Sequence, residues 1–455
     1  MEPSSTYAAR GRPLLKSERI AVLLVCLVIF TAHLAFAGGT NAAALCITAA
    51  YSLTAAALVI PRWGRQAPPP SRSMAGIAML YAITIAVALL SLSTIPLDPP
   101  HSVWSLVGAP STPSVDRSRT LVEIIKLLGL ACIFAAGAIL GQSATRARYL
   151  LTALGAFSFA YGLWAFISFI AWPGTFMGLA AALLSNRLLA SFSSANTAGT
   201  FFGMVVILSV GLLTRDLARA PKARPGRSTF EPLLSAAAGP SALAFLAATA
   251  LLLTASRSAV AATGAVLLVF VLVEGVVRRW RWRVWLLVLL PAALLVLGIL
   301  LTLSGTAFFQ RLDYVKVDAA SRAAMYAQHI QAMKPDPWMG LGLGAFEPVH
   351  RQLINSAQYD YLWNIRAMHN VYLQWRQGAG WLGSAPMFLC IALALLSIAV
   401  AAANRRPAAV HLRIVLAMSA VVLLHGATDF ALEEFSLAGF WAFLLGIGVA
   451  QSRRI

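Results

Sequence analysis

Long apolar runs alternate with polar connections along the whole chain. A helix needs roughly 20 apolar residues to cross a hydrocarbon core of about 30 Å, and about twelve runs approach that length. They lie at Ile20–Phe36, Ala42–Ile60, Ala75–Ile95, Leu121–Leu140, Leu150–Ile170, Gly199–Leu213, Leu233–Thr254, Ala259–Val277, Val284–Leu303, Leu382–Ala402, Val410–Ala427 and Leu437–Ala450. This pattern predicts an all-α polytopic membrane protein with about twelve transmembrane helices.

Three connections between these runs are long enough to carry chemistry outside the membrane. The first surrounds Pro96–Arg119, the second runs from Trp172 to Ala198, and the largest runs from Ser304 to Trp381, between the ninth and tenth spans. We therefore divide the chain into an N-terminal tail (1–19), spans one to nine (20–303), the large loop (304–381), spans ten to twelve (382–450) and a C-terminal tail (451–455).

Positive charge is distributed unevenly along the chain. There are 35 Lys and Arg against 16 Asp and Glu, a net charge of +19, and most of the basic residues fall in the even-numbered connections and the two tails. By the positive-inside rule both termini are cytoplasmic, and the three long connections lie on the opposite side. Short basic clusters next to spans are typical of topology signals and headgroup contacts, which argues against nucleic-acid binding. The first run resembles a signal peptide, but its length favours a retained helix.

Several arginines break this trend because they lie on the outer side. They are Arg117, Arg119, Arg187, Arg257, Arg311, Arg322, Arg351, Arg366 and Arg376. Arg257 lies in a turn between two spans, where a guanidinium either binds a phosphate or snorkels towards headgroups. Arg187 precedes Asn196 and Thr197, which begin a helix. That start suits an anion, although helix capping explains these residues equally well.

His369 lies at the end of the large loop, among arginines. If residues 366–376 form a helix, Arg366, His369 and Arg376 share one face. Neighbouring guanidinium groups disfavour the protonated imidazole, so His369 would be neutral and suited to act as a general base. An ordinary solvated surface of His and Arg is the alternative. The remaining histidines lie in or at spans (His33, His411, His425) or lack a convergent setting (His101, His329, His350).

The chain shows no spacing of ligands that is typical of a metal site. The cysteines lie within predicted spans and are interpreted as small buried hydrophobic residues; they are Cys26, Cys46, Cys132 and Cys390. We expect a site without metal or cofactor. In the large loop, a helix is predicted from Ser321 and ends at Pro335. The glycines of "MGLGLGAF" (Gly340, Gly342, Gly344) favour a tight turn over a phosphate-binding loop, because no strand precedes them.

A motif in the large loop resembles a known family signature. His369 and Asn370 are followed by nine residues and then by Gly380 and Gly383, as in the H[NSQ]-x9-G-x-x-G signature of the O-antigen ligase family. The superfamily includes WaaL ligases, Wzy-type polymerases and pilin O-oligosaccharyltransferases. Arg257 in "TASRSA", Arg187 ahead of "SANTAG", and Arg322 in "SRAAMYAQHI" agree with the resemblance, which spans roughly residues 186–440.

The resemblance implies a GT-C-like, metal-independent glycosyltransferase of the bacterial inner membrane. Its donor is a glycan on undecaprenyl diphosphate, and its acceptor is a sugar hydroxyl on the periplasmic face. The acceptor is lipid A core for a ligase and another lipid-linked repeat unit for a polymerase; the complete histidine signature favours the ligase. His369 is then the base, and Arg187, Arg257 and Arg322 bind the donor diphosphate.

The sequence leaves the roles of other polar residues open. Asp429 and Glu433 either orient His369 or an arginine, or are ordinary loop acids. Asn370 is a second candidate for the surroundings of His369. Arg366 and Arg376 either hold acceptor phosphates or lie among lipid headgroups. A lipid-linked oligosaccharide transporter is the alternative from another class. It predicts repeated halves and charges near the bilayer midplane, whereas Glu123, Lys126 and Glu274 lie near the ends of spans.

Overall fold

The structure is a computed structural model that describes residues 13–60, 71–94, 112–173, 175–176, 179–180, 187–219, 230–279, 321–335, 337–405 and 409–452. Within these residues, ten helices are long and apolar enough to cross a membrane, and a shorter apolar helix covers Val410–Gly426. The chain is therefore a polytopic membrane protein built from helices, as predicted.

In chain order, the helices are α1 Lys16–Leu34, α2 Asn41–Val59, α3 Arg72–Leu90, α4 Arg117–Gly141, α5 Ala144–Ala171, α6 Ala195–Leu217, α7 Phe230–Leu253, α8 Arg257–Arg278, α9 over residues 321–332, α10 Phe346–Leu353, α11 Tyr359–Leu362, α12 Val371–Arg405, α13 Val410–Gly426 and α14 Phe435–Ser452. Short 3-10 helices cover Phe36–Gly38, Ser356–Gln358 and Ala431–Glu433. Strands β1 Thr175–Phe176 and β2 Leu179–Ala180 form a small antiparallel ladder.

Every predicted span except the ninth coincides with one of these helices. The ninth, Val284–Leu303, lies outside the described residues, as do Arg311 and most of the first long connection. The tenth span differs at its start, because α12 begins at Val371 and not at Leu382. The last part of the predicted loop is therefore the first part of a long helix. Of the four cysteines, Cys26 and Cys390 are buried as predicted, whereas Cys46 is exposed and Cys132 is half-buried.

The centre of the bundle consists of α6 and α14, whose residues are almost all buried. Around them pack the other helices, which keep apolar faces on the outside, as lipid contact requires. Between the two central helices, His33 of α1 contacts the ring of Phe201, with 5.0 Å between ring centroids, and its Nδ1 lies 2.8 Å from Oγ of Ser436. His33 therefore lies within a span, as predicted, and its contacts in the core explain its position.

Helices α4 and α14 approach each other closely because glycines face the contact. A Cβ on Gly137 would meet the carbonyl oxygen of Phe443, and a Cβ on Gly446 would meet that of Phe134. Small residues at such positions let two helix backbones pack tightly in a membrane, where van der Waals contact is a main source of helix association.

The glycine-rich segment after α9 packs against α12. Leu341 N donates to the carbonyl of Gln377 (2.8 Å), and Gly342 N donates to that of Gly378 (2.9 Å). These N–H groups are used by the helix and are not free for a phosphate, so the segment is a turn, in line with the interpretation from sequence. Gly380 interrupts α12 with a φ of +57°, a conformation that glycine adopts without a steric penalty.

Ionisable groups inside the helices are paired with one another. Glu274 of α8 accepts from Nε of Arg278 (2.7 Å) and from Arg413 of α13. Lys126 of α4 contacts Glu123 at 2.8 Å. Buried charges need such partners, so these residues have a structural explanation.

Candidate active site

His369 lies just before α12, in a segment without helical structure. The predicted helix over residues 366–376 is therefore wrong for its first part. Asn370 explains the boundary, because its side-chain Oδ1 accepts a hydrogen bond from Leu373 N (3.0 Å) and so caps the helix start. Arg366 and Arg376 do not share a helical face with His369. Arg366 is exposed, and the guanidinium of Arg376 lies 4.1 Å from the centroid of the Trp381 ring.

The imidazole of His369 faces the carboxylate of Asp429. Nδ1 of His369 lies 3.6 Å from Oδ1 of Asp429, a carboxylate that is completely buried. Phe430 contacts the imidazole edge to face, with 4.8 Å between ring centroids. Among the described residues, neither carboxylate oxygen of Asp429 receives a hydrogen bond. A buried and otherwise unbonded carboxylate next to an imidazole favours a proton on Nδ1 and leaves Nε2 to accept one.

The turn that carries Asp429 is held from two sides. Asn370 donates from Nδ2 to the carbonyl of Ala427 (3.1 Å), and Arg322 of α9 donates from Nη1 to the carbonyl of Thr428 (3.2 Å). The hydroxyl of Tyr326, also on α9, donates to the carbonyl of His369 (3.2 Å). The loop helix α9 thus ties the histidine segment to the turn between α13 and α14.

Arg187 connects the segment before α6 to the segment before α8. Its Nε donates to the carbonyl of Thr254 (2.7 Å) and its Nη2 donates to Oδ1 of Asn196 (2.8 Å). Burial lowers the pKa of Arg187, the positive charge of Arg257 lowers it further, and the negative charge of Asp429 opposes both. The two arginines and the carboxylate therefore lie within electrostatic reach of one another.

Arg257 is exposed at the first position of α8, directly after a strained turn. Ala255 has a φ of +47°, Ala190 has a φ of +53° and His369 has a φ of +51°. This left-handed conformation costs a residue with a Cβ about 1 kcal/mol or more. The three segments that carry Arg187, Arg257 and His369 each contain one such residue, and strain of this kind persists where the surrounding structure fixes the backbone for function.

His425 is a site residue that the sequence did not single out. It lies in the last turn of α13, buried, with Nδ1 2.7 Å from Oγ1 of Thr200 and Nε2 2.9 Å from Oγ of Ser258. Thr200 follows Asn196 by one helical turn, and Ser258 follows Arg257. One signal was available, because His425 precedes Asp429 by four residues in "LHGATDF". The apolar run around His425 concealed it.

Glu433 does not lie beside His369 in this arrangement. It lies near Glu123, Lys126 and Gln374, on the other side of the turn. Burial raises the pKa of Glu433 to about 7; the charges of Glu123 and Glu434 add to this effect, and Lys126 opposes it. Of the two acids singled out in "ATDFALEEF", Asp429 alone contacts the candidate base.

A large apolar cavity adjoins the site. It has a volume of about 890 Å³ and is lined by α3, α4, α12, α13 and α14. Tyr372, two residues into α12, and Gly426, at the end of α13, are among the lining residues. The cavity therefore begins next to the segments that hold His369 and Asp429, and its apolar walls match a lipid chain.

Within the residues that the structure describes, no group of three or more His, Cys, Asp or Glu side chains is arranged to hold a metal ion. The candidate site combines two histidines, His369 and His425, with one buried carboxylate and three guanidinium groups. Of the candidates from the sequence, the structure brings together Arg187, Arg257, Arg322, His369, Asn370 and Asp429, whereas Arg366, Arg376 and Glu433 lie outside this group.

These features define a class: a multi-pass membrane protein with a histidine–carboxylate pair and an arginine cluster at the ends of its helices. Residues 242–388 match the family model described as O-antigen ligase. This match supports the O-antigen ligase/polymerase superfamily, as the signature at His369 predicted. The matched region contains Arg257, Arg322 and His369, whereas Arg187 and Asp429 lie outside it. No curated protein matches the chain. The family indicates a glycosyltransferase-type enzyme of polysaccharide biosynthesis that uses lipid-linked glycans.

Proposed function

We propose that this protein is an O-antigen ligase that transfers a glycan from undecaprenyl diphosphate to a sugar hydroxyl of lipid A core. The observation that carries the proposal is the pairing of His369 with the buried Asp429, at 3.6 Å, beside Arg187, Arg257 and Arg322. A base, a group that orients it, and a set of cations for a diphosphate are what this reaction needs.

In the proposed reaction, the acceptor hydroxyl oxygen attacks the anomeric carbon of the donor sugar. A new glycosidic bond forms while the bond between that carbon and the diphosphate oxygen breaks. The hydroxyl proton goes to Nε2 of His369, and the bonding electron pair leaves with undecaprenyl diphosphate. Asp429 stabilises the imidazolium that results, because its negative charge faces Nδ1.

The arginines serve the leaving group. Diphosphate gains negative charge as the bond breaks, and fixed guanidinium groups stabilise that charge without having to reorganise. Arg187 is oriented by the Thr254 carbonyl and by Asn196, so its remaining N–H groups are held in place. Arg257 and Arg322 complete the cluster. The apolar cavity beside Tyr372 suits the hydrocarbon chain of a lipid-linked substrate.

A test supplies the purified protein with undecaprenyl-diphosphate-linked glycan and with lipid A core. Transfer that persists in EDTA and is lost in His369→Ala supports the metal-independent proposal. Equal transfer by His369→Ala and wild type would contradict the role of the base.

A Wzy-type polymerase uses the same donor chemistry with another lipid-linked repeat unit as acceptor, and the complete histidine signature favours the ligase. The glycolipids of a deletion strain separate the two functions. Lipid-linked polymer that is no longer attached to lipopolysaccharide supports the ligase, and single repeat units on lipopolysaccharide support the polymerase.

A transporter for lipid-linked oligosaccharides is less well supported. Glu123, Lys126 and Glu274 are ion-paired, and Glu274 lies four residues before the end of α8, whereas transporters place charged residues near the midplane. Movement of labelled donor lipid across a vesicle membrane, without any transfer, would favour the transporter.

The proposed function implies a location. We place the protein in the bacterial inner membrane, with both termini cytoplasmic and the large loop (304–381) in the periplasm, because most basic residues then face the cytoplasm. Fusions of alkaline phosphatase within residues 356–358 and of a fluorescent protein at the C-terminus test this topology.

A further inference from the structure

A second group of arginines surrounds Glu347, apart from the arginines that adjoin Asp429. Nη1 of Arg119 lies 2.9 Å from Oε2 of Glu347, and Nη2 of Arg351 lies 2.5 Å from its Oε1. Nε of Arg119 also contacts Asp116, at 3.2 Å. The group joins the start of α4 to α10, two elements that are far apart in sequence.

Arg366 adds a third guanidinium to this group. Burial alone raises the pKa of Glu347, but the hydrogen bond from Arg119 and the charges of Arg119, Arg351 and Arg366 lower it below its ordinary value. Arg119 and Arg351 are therefore ion-paired with Glu347, and Arg366 lies close enough for its charge to act on the same carboxylate.

The cations face outwards and the carboxylate lies beneath them. The side chains of Arg119 and Arg351 are 43% and 44% exposed, whereas that of Glu347 is 16% exposed. Each guanidinium has five N–H donors, and the ion pairs use only part of them. Glu347 thus fixes the guanidinium groups of Arg119 and Arg351, while their other N–H donors point outwards. This arrangement suits bidentate binding of an anion.

Aromatic rings lie beside these cations. The guanidinium carbon of Arg351 lies 5.1 Å from the ring centroid of Trp363, which also contacts Tyr359 at 4.8 Å. Both rings are exposed. A flat aromatic face next to oriented cations suits the apolar face of a sugar ring that carries a negatively charged group.

The group also lies close to the candidate base. Arg366 precedes His369 by three residues, and three residues of extended chain span at most about 11 Å. An anionic group held here would therefore belong to a molecule whose other parts reach His369. The Arg187–Arg257–Arg322 cluster, by contrast, lies next to Asp429.

We propose that Arg119, Arg351 and Arg366 form an acceptor subsite that binds a phosphate group on the sugar of the acceptor glycolipid, with Trp363 and Tyr359 against the sugar ring. This inference rests on the proposed function and deepens it: the two lipid-linked substrates are distinguished by two separate arginine clusters, one for the diphosphate of the donor and one for the phosphate of the acceptor.

The experiment uses the full-length protein in nanodiscs of zwitterionic phospholipid. The acceptors are lipid A core and the same glycolipid after enzymatic removal of its phosphates. We expect wild type to have a KM at least about tenfold lower for the phosphorylated acceptor, the size of effect that one good charge-assisted contact gives. In the double variant R351Q/R366Q the two KM values converge, while the donor KM stays at the wild-type value. The variant R351K/R366K should keep part of the preference for the phosphorylated acceptor, because lysine keeps the positive charge but lacks the planar guanidinium.

Arg72→Gln is the matched control. Arg72 is exposed at the start of α3, and the other end of α3 bonds to the chain before α4 through Ser114 N and the Ser91 carbonyl (3.0 Å). Arg72 therefore lies at the opposite end of the bundle, and its variant should keep the wild-type preference.

Equal KM values for the two acceptors in wild type would overturn the subsite, as would an unchanged preference in the double variant. A preference that appears only when anionic phospholipid is added would assign the cluster to lipid headgroups. If wild type transfers no glycan at all, the proposed function fails. Binding of labelled lipid A core to the nanodiscs then decides the subsite, with at least about tenfold weaker binding expected for R351Q/R366Q.

Discussion

The carboxylate of Asp429, on the turn between α13 and α14, lies 3.6 Å from Nδ1 of His369, which comes just before α12. This separation is longer than a hydrogen bond, and catalytic contacts are often long before substrate binds. Two hydrogen bonds flank the pair: Asn370 donates to the carbonyl of Ala427, and Arg322 donates to the carbonyl of Thr428. The turn and the histidine segment are therefore fixed relative to each other by bonds on both sides of the pair.

Asp429→Asn should lower kcat by about 10²- to 10⁴-fold, the range for loss of general-base catalysis. The amide keeps the shape of the carboxylate but removes the charge that stabilises the imidazolium. Steady-state transfer rates with saturating donor and acceptor measure the effect. Asp360→Asn, at an exposed acid of α11, is the control and should transfer at the wild-type rate. A D429N protein with wild-type kcat would show that His369 works without this partner.

Arg257→Lys should weaken donor binding by about tenfold or more, although the charge is kept. Lysine offers a point charge and cannot bind two phosphate oxygens through a planar fork. Binding of undecaprenyl-diphosphate-linked glycan to the purified protein measures this directly. Lys substitution of the exposed Arg117 is the control. Donor affinity that stays at the wild-type value in R257K would remove Arg257 from the diphosphate site.

His425 should act as a positioning residue for Arg257 and Arg187. Ser258→Ala removes the bond from His425 Nε2 to the helix that Arg257 begins, and Thr200→Val removes the bond from Nδ1 to α6. We expect S258A to raise the donor KM several-fold with little change in melting temperature, because only one hydrogen bond worth about 1 kcal/mol is lost. A merely structural role would lower the melting temperature and leave the donor KM unchanged.

Gly380→Ala should destabilise the fold by about 1–3 kcal/mol, because alanine does not readily adopt a φ of +57° and its Cβ would meet the Trp338 carbonyl. Thermal unfolding in detergent measures the loss. Gly264→Ala is the matched control: Gly264 lies within α8 with open space around the Cβ position, so alanine there is tolerated and even favours the helix. Equal melting temperatures for the two variants would contradict a structural need for glycine at Gly380.

The sequence predicts the spans well and the site only in part. Hydropathy located the helices, since a membrane requires long apolar runs, and the spacing from His369 to Gly380 and Gly383 predicted the family. Periodicity failed from Arg366 to His369, because the Asn370 cap begins the helix later than the pattern indicates. The contact between His369 and Asp429 depends on how α12 and α13 pack, which no local pattern encodes. His425 was hidden for a similar reason: its partners Thr200 and Ser258 come from two other helices.

The acid Glu433 predicts a pH dependence of stability. Its pKa is raised to about 7, first by burial and then by the charges of Glu123 and Glu434, against Lys126. A raised pKa means that the folded state holds the proton more tightly than the unfolded chain, where the pKa is about 4.3. The stabilisation is complete below about pH 4.3 and is lost as the pH rises through about 7. Ionisation of Glu433 should therefore lower the melting temperature of the wild-type protein across this window. Glu433→Gln should remove that part of the decrease. Melting curves between about pH 4.5 and 8 measure the difference, and parallel curves for the two proteins would show that Glu433 is ionised throughout.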